Sequence, residues 1–100
     1  LVSWYIGKCA LNYFRQDNGS KEGTYIKVWG GLEDNVYLEG IIKNFQKKGI
    51  PVSCHAVWQE LAIAYHTLTD KDVGKCTIPA LTVAGKVEDE GDEKNEDSEL

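Results

Sequence analysis

The one arrangement in this sequence that suggests nucleophilic catalysis is the neighbouring pair Cys54 and His55. Both residues stand at the predicted start of a helix, where the helix dipole would stabilise a thiolate. Consecutive residues on a helix point in different directions, however, and Cys54 also begins an apolar stripe. A cysteine-dependent enzyme is therefore the weakest of three functional hypotheses.

The spacing of the other candidate ligands does not support metal or cofactor chemistry. His55 and His66 are eleven residues apart, which is about 16 Å along a helix and too far for one metal ion. The loop with Asp70, Asp72 and Gly74 departs from a calcium-binding loop because the required acidic residues are missing. The sequence therefore predicts no catalytic, metal or cofactor site.

The three cysteines, Cys9, Cys54 and Cys76, are too widely spaced for a zinc ribbon or a C-x-x-C redox motif. In a secreted protein, an odd number suggests one internal bridge and one thiol bonded to another chain. In a cytosolic protein, the same residues would be small buried hydrophobic side chains. A Cys9–Cys76 bridge between strands would leave Cys54 for the intermolecular bond. A Cys54–Cys76 bridge is the alternative, and the sequence leaves both open.

The elements that would position these residues are clearest in the stretch 35–68, where two apolar stripes at helical spacing predict two amphipathic helices. Gly49 suits the left-handed end of the first helix and Pro51 prevents its continuation, while Ser53 suits the N-cap of the second. The stripes consist of Leu38, Ile41, Ile42 and Phe45 in the first helix, and of Cys54, Val57, Trp58, Leu61, Tyr65 and Leu68 in the second.

Two apolar residues of the second predicted helix, Ala56 and Ile63, fall on the side opposite its stripe. A single exposed isoleucine is normal in a soluble protein. Contact with a second polypeptide is the alternative explanation, and it makes Ile63 and Ala56 the candidate interface.

Residues 2–15 are rich in Trp, Tyr, Ile and Phe, which favours a β-strand. Residues 17–20 predict a hairpin turn, because Asn-Gly readily supplies two residues with positive φ, and 24–29 would form the return strand. A third strand is expected over 75–84, at a sheet edge because Pro79 donates no hydrogen bond. The order β-β-α-α-β predicts an α+β domain, an antiparallel sheet of about three or more strands with two helices packed on one face.

Two further observations favour secretion. Asn18 begins an N-x-S triplet at the predicted hairpin tip, which makes it a candidate glycosylation site, although such triplets also arise by chance. The chain contains no methionine, which we take as a sign of proteolytic processing.

Acidic residues are concentrated at the C-terminal end. Residues 87–100 carry eight of the 16 acidic residues and one base, Lys94, which predicts a disordered acidic tail after a single domain over 1–86. The other ten basic and eight acidic residues give 1–86 a charge of +2, with no basic stripe for a phosphate backbone. We therefore expect no nucleic-acid binding, and no apolar run is long enough for a transmembrane segment.

The leading functional hypothesis is a secreted, proteolytically processed, non-enzymatic subunit that works by protein–protein or cell-surface binding. Its partner would be a second polypeptide chain or another copy of itself, held by a disulfide bond or without one. In plan, two helices on one face of a sheet are similar to fungal killer toxins and small secreted effectors, and that resemblance implies toxin-like or effector-like binding. The alternative is an intracellular interaction domain with reduced cysteines.

Overall fold

The computed structural model describes residues 2–80 and places most of them in three α-helices. Within these residues the only strands are two residues long and pair antiparallel with each other. The predicted α+β domain with a three-stranded sheet is therefore wrong, and the similarity in plan to killer toxins and secreted effectors is lost with it. The predicted acidic tail, 87–100, lies outside the described residues. The elements are α1 (Val2–Asp17), β1 (Val28–Trp29), β2 (Leu32–Glu33), α2 (Asp34–Lys48) and α3 (Cys54–Thr69).

Helix α1 occupies the stretch 2–15 that composition assigned to a strand. Aromatic and β-branched side chains favour a strand where a neighbouring strand is present to receive them, and no strand pairs with this stretch in the described residues. The residues that face the core instead recur at helical spacing, so burial selects the helical pattern over the alternating one. The buried stripe consists of Gly7, Ala10, Leu11 and Phe14.

The hairpin turn lies at Gly30 and Gly31 rather than at residues 17–20. Both glycines have positive φ, +58° and +92°, as a tight two-residue turn between β1 and β2 requires. Of the predicted return strand, only the last two residues pair, and Trp29 stands opposite Leu32. Residues 17–20 instead lie at the C-terminal end of α1 and in the turn that follows it.

Both helices predicted from apolar stripes are present, as α2 and α3. Gly49 ends α2 with φ +73°, and the Ile50 N–H donates to the Phe45 carbonyl at 2.9 Å, a bond typical of a left-handed helix end. Ser53 caps α3, because its Oγ accepts a hydrogen bond from the Ala56 N–H at 3.2 Å. These local predictions are confirmed.

The core lies where α1 meets α2 and α3, and its centre is aromatic. Phe14 of α1 is fully buried and packs edge-on against Trp58 and Tyr65 of α3, with ring centroids 5.4 and 5.3 Å away. Trp29 of β1 packs edge-on against Phe14 at 5.9 Å. Edge-on packing places the positive rim of one ring against the negative face of another. The hairpin and the helices therefore share one core.

The third strand predicted over 75–84 does not form in its described part, 75–80, and 81–84 lie outside the described residues. Residues 70–80 instead form an irregular stretch, named the C-terminal segment below. Ile78 in this segment is buried and belongs to the core.

Side chains at the end of α1 hold the C-terminal segment in place. The Asn18 side-chain oxygen accepts a hydrogen bond from the Gly74 N–H at 2.7 Å. The Asp17 carboxylate accepts from the Thr77 N–H at 3.1 Å and from the Thr77 hydroxyl at 2.6 Å. The segment therefore depends on helix α1 as well as on the apolar contact of Ile78.

Candidate functional site

An open groove lies between the first turns of α1 and the last turns of α2. Its volume is about 490 Å³, which leaves room for a large side chain of a bound polypeptide. Trp4 lines the groove and remains 43% exposed. Among the described residues, the lining consists of Ser3, Trp4, Glu39, Ile42, Lys43 and Gln46.

The groove exists because α1 and α2 run antiparallel and approach closely. Arg15 near the end of α1 bonds to Asp34, the first residue of α2. Gly7 lies against Ile42, two turns further along α2, where a Cβ on the glycine would stand 2.5 Å from the Ile42 Cδ1. Glycine thus permits the close approach, and Trp4, one turn earlier in α1, comes to lie beside the last turns of α2.

The first turns of α1 expose further apolar side chains. Val2 is 72% exposed and Tyr5 is 71% exposed, on a different side of α1 from Trp4 and outside the groove lining. Aromatic residues are enriched in protein interfaces relative to the rest of protein surfaces. This end of α1 is therefore the best candidate binding surface among the described residues.

Lysine side chains border the groove. The Lys8 Nζ lies 5.9 Å from the centroid of the Trp4 ring, within the range of a cation–π contact. Lys43 forms an ion pair with Glu39 at 3.2 Å, but both side chains are largely exposed, so the pair contributes little stability. The charge around the groove is net positive. Two further exposed lysines occupy the last turn of α2, Lys47 and Lys48.

Sequence analysis missed this groove. With 2–15 predicted as a strand, nothing indicated that Trp4 would lie beside Ile42 of α2. The available signal was that Trp4, Gly7 and Leu11 recur at helical spacing.

Cys54 and His55, the candidate nucleophile and base, do not meet. The Cys54 thiol donates to the Ile6 carbonyl at 3.7 Å, whereas the His55 Nε2 lies 3.1 Å from the Ile78 carbonyl. Burial raises the pKa of the Cys54 thiol, and the neighbouring Cys9 raises it further. A thiol with a raised pKa keeps its proton at neutral pH, which is the opposite of an activated cysteine.

The cysteines lie on three different parts of the fold. Cys9 is on α1, Cys54 begins α3, and Cys76 is in the C-terminal segment. No disulfide bond joins them, and no two are at bonding distance. Neither of the two pairings considered from the sequence is formed here, and an internal or intermolecular disulfide stays a prediction.

The two residues of the candidate interface on α3 differ in exposure. Ile63 is 61% exposed, whereas Ala56 is partly buried and packs against the core. The residues around Ile63 on the outer side of α3 are polar, so it is an isolated apolar side chain rather than part of a patch. Partner contact at these two residues stays a prediction.

Asn18 lies at the end of α1 and is only 9% exposed, instead of standing at a hairpin tip. Its side-chain nitrogen donates to the Phe14 carbonyl at 2.8 Å, and its oxygen accepts from the Gly74 N–H. A glycan would be attached to this same nitrogen. Glycosylation of Asn18 stays a prediction. The two hydrogen bonds of the Asn18 side chain give this residue a structural role without a glycan.

Asp34 is a fully buried carboxylate with three donors. Arg15 donates to both of its oxygens at 2.9 Å, and the Tyr25 hydroxyl donates at 2.7 Å. Burial alone would raise the pKa of Asp34, but the bonds from Arg15 and Tyr25 outweigh burial and hold that pKa below its usual value. Burial also raises the pKa of Tyr25, with a further contribution from Asp34. Because the three groups satisfy one another, removing one of them would leave a buried polar group or charge uncompensated and would destabilise the fold.

Within residues 2–80, no group of three or more His, Cys, Asp or Glu side chains could hold a metal ion. The second histidine, His66, lies with its Nδ1 2.8 Å from the Lys71 carbonyl. None of the helices in this part of the chain is long and apolar enough to cross a membrane.

No protein-family model matches the chain, and no curated protein or solved structure is significantly similar to it. Function therefore has to be argued from the groove and its surroundings.

Proposed function

We propose that this chain is a non-enzymatic binding domain whose groove between α1 and α2 receives an acidic polypeptide segment with a large apolar side chain. The observation that carries the proposal is the partly exposed ring of Trp4 in the lining of a groove of about 490 Å³. An apolar side chain that fills a pocket is the usual energetic centre of a protein interface. The separation of Cys54 from His55 also favours binding over catalysis.

The charge around the groove supports an acidic partner. Lys43 lines the groove and pairs with Glu39, Lys8 lies against the Trp4 ring, and two further lysines follow in the last turn of α2. Electrostatic complementarity mainly speeds association and selects among partners. The apolar side chain would therefore supply most of the affinity, and acidic residues on either side of it would set the specificity. The lysines in question are Lys8, Lys43, Lys47 and Lys48.

Selection from a random-peptide display library against the full chain tests this proposal. We expect the selected peptides to share an aromatic or large aliphatic residue next to acidic residues. Binding should weaken about fivefold or more with Trp4→Ala, because truncating an aromatic residue at the centre of an interface costs more than about 1 kcal/mol. Lys43→Glu should weaken binding most at low salt.

Ile63→Ser is the matched control, because Ile63 is an exposed apolar residue on the outer side of α3. Peptides that lose binding with Ile63→Ser but not with Trp4→Ala would place the interface on α3 and overturn the assignment to the groove. Peptides without acidic residues would overturn the proposed partner chemistry.

From the odd number of cysteines and the N-x-S triplet, we further propose that the chain is secreted and processed and works with a second chain or another copy of itself. An intracellular interaction domain with reduced cysteines is the alternative. The intact mass of the native protein without reducing agent distinguishes them. A disulfide-linked second chain or dimer supports secretion, and three thiols in a monomer oppose it.

A further inference from the structure

Two of the three cysteines lie on facing parts of α1 and α3. The Cys54 thiol reaches the Ile6 carbonyl, 3.7 Å away on α1. Cys9 follows Ile6 by one helical turn, and a side chain on a helix leans back over the turn that precedes it. The Cys9 side chain is thus directed toward the turn that Cys54 contacts.

The third cysteine is held elsewhere. Its neighbours Gly74 and Thr77 are bonded to Asn18 and Asp17, at the C-terminal end of α1. Asp17 is eight residues beyond Cys9, a distance of roughly 12 Å along the helix. This placement disfavours the Cys9–Cys76 pairing considered from the sequence.

We propose that Cys9 and Cys54 form a reversible disulfide bond that ties α1 to α3 when the chain meets a small-molecule disulfide such as oxidised glutathione. The structure holds the reduced form, so forming the bond requires the two sulfur atoms to move to bonding distance. This proposal does not depend on the function assigned to the groove.

The exchange proceeds in two balanced steps. The Cys9 thiol loses its proton to water. The resulting thiolate attacks one sulfur of oxidised glutathione and releases a glutathione thiolate, which takes up a proton. The Cys54 thiolate then attacks the Cys9 sulfur of the mixed disulfide and releases the second glutathione in the same way. Two protein thiols are oxidised to one disulfide, and one glutathione disulfide is reduced to two glutathione thiols.

The electrostatics of the pair support this order. Burial raises the pKa of the Cys54 thiol, and the nearby Cys9 adds to the rise. A thiol that keeps its proton is a poor first nucleophile toward an external disulfide. We therefore assign the first attack to Cys9, while Cys54 closes the bond.

Peptide mapping of the full chain tests the pairing without any substitution. Trypsin places each cysteine on its own peptide, 9–15, 49–71 and 76–86. After equilibration in a series of glutathione redox buffers, alkylation of remaining thiols and digestion, we expect 9–15 linked to 49–71. A bridge from 76–86 to either of the other two peptides, or no bridge between 9–15 and 49–71 at the most oxidising ratio, would overturn the proposal.

Two variants separate a specific bond from general oxidation. Cys76→Ser should still form the bridge, and its thermal midpoint should rise by about 5 to 10 °C on oxidation, because closing a long loop constrains the unfolded chain. Cys54→Ser should show neither the bridge nor the rise. An equal rise in both variants would show that the stabilisation does not come from this bond.

Discussion

At the scale of single residues, Asp34 is a charged side chain buried in the protein interior. Its carboxylate is inaccessible to water and depends on Arg15 and Tyr25. Asp34→Asn keeps the size of the side chain but removes the charge that Arg15 needs, so we expect the free energy of unfolding to fall by about 3 kcal/mol. Chemical denaturation measures the loss. Asp72→Asn, at an exposed position, is the control and should change stability by less than about 0.5 kcal/mol.

The lowered pKa of Asp34 also fixes the direction of a pH dependence. Its contribution to stability is complete above the pKa of the unfolded chain, about 4, and is lost as the pH falls through the lower pKa of the folded state. The difference in unfolding free energy between wild type and Asp34→Asn should therefore narrow as the pH drops below about 4. A difference that stays constant down to the lowest accessible pH would contradict this account.

At the scale of elements, the contact between α1 and α2 depends on Gly7. A Cβ there would stand 2.5 Å from the Ile42 Cδ1, whereas Gly40, also within a helix, has no atom within 4 Å of such a Cβ. We expect Gly7→Val to lower the free energy of unfolding by about 2 kcal/mol through overpacking. Gly40→Val is the matched control and should change stability by less than about 0.5 kcal/mol.

Because Gly7 also sets the spacing of the helices beside the groove, its replacement should widen the groove as well as destabilise the chain. Thermal denaturation followed by circular dichroism measures the loss of stability. Equal stability of Gly7→Val and Gly40→Val would show that α1 and α2 can move apart without a loss in the free energy of unfolding.

At the scale of the whole molecule, the C-terminal segment completes the core without regular structure of its own. It contributes Ile78, which is 6% exposed, and donates hydrogen bonds to Asn18 and Asp17 at the end of α1. Ending the chain after Thr69 should lower the free energy of unfolding by about 3 kcal/mol or more, from lost apolar burial and unpaired polar groups.

A chain that ends after Ala80 is the control for that truncation, because it keeps every described contact of the C-terminal segment. Its midpoint of chemical denaturation should lie above that of the chain ending after Thr69. If the chain ending after Thr69 were as stable as the chain ending after Ala80, the core would be complete without the C-terminal segment.

The sequence by itself determined α2 and α3, the C-terminal end of α2 and the N-terminal cap of α3. The apolar spacing, Gly49 and the Ser53 cap act within one or two turns, so the information lies in neighbouring residues. Sequence could not determine the state of residues 2–15, whose aromatic side chains fit either an alternating or a helical pattern. Tertiary structure decided it: Phe14 is buried among Trp29, Trp58 and Tyr65 only if the stretch is a helix.

The groove and the approach of Cys9 to Cys54 were likewise decided only by tertiary structure. Each joins residues from two helices that are far apart in the chain, Trp4 with Ile42 and Cys9 with Cys54. No local pattern encodes which helix faces will meet. That choice follows from the shared aromatic core and the buried Asp34, which favour one arrangement of the three helices because any other would leave apolar surface exposed and a charge unpaired.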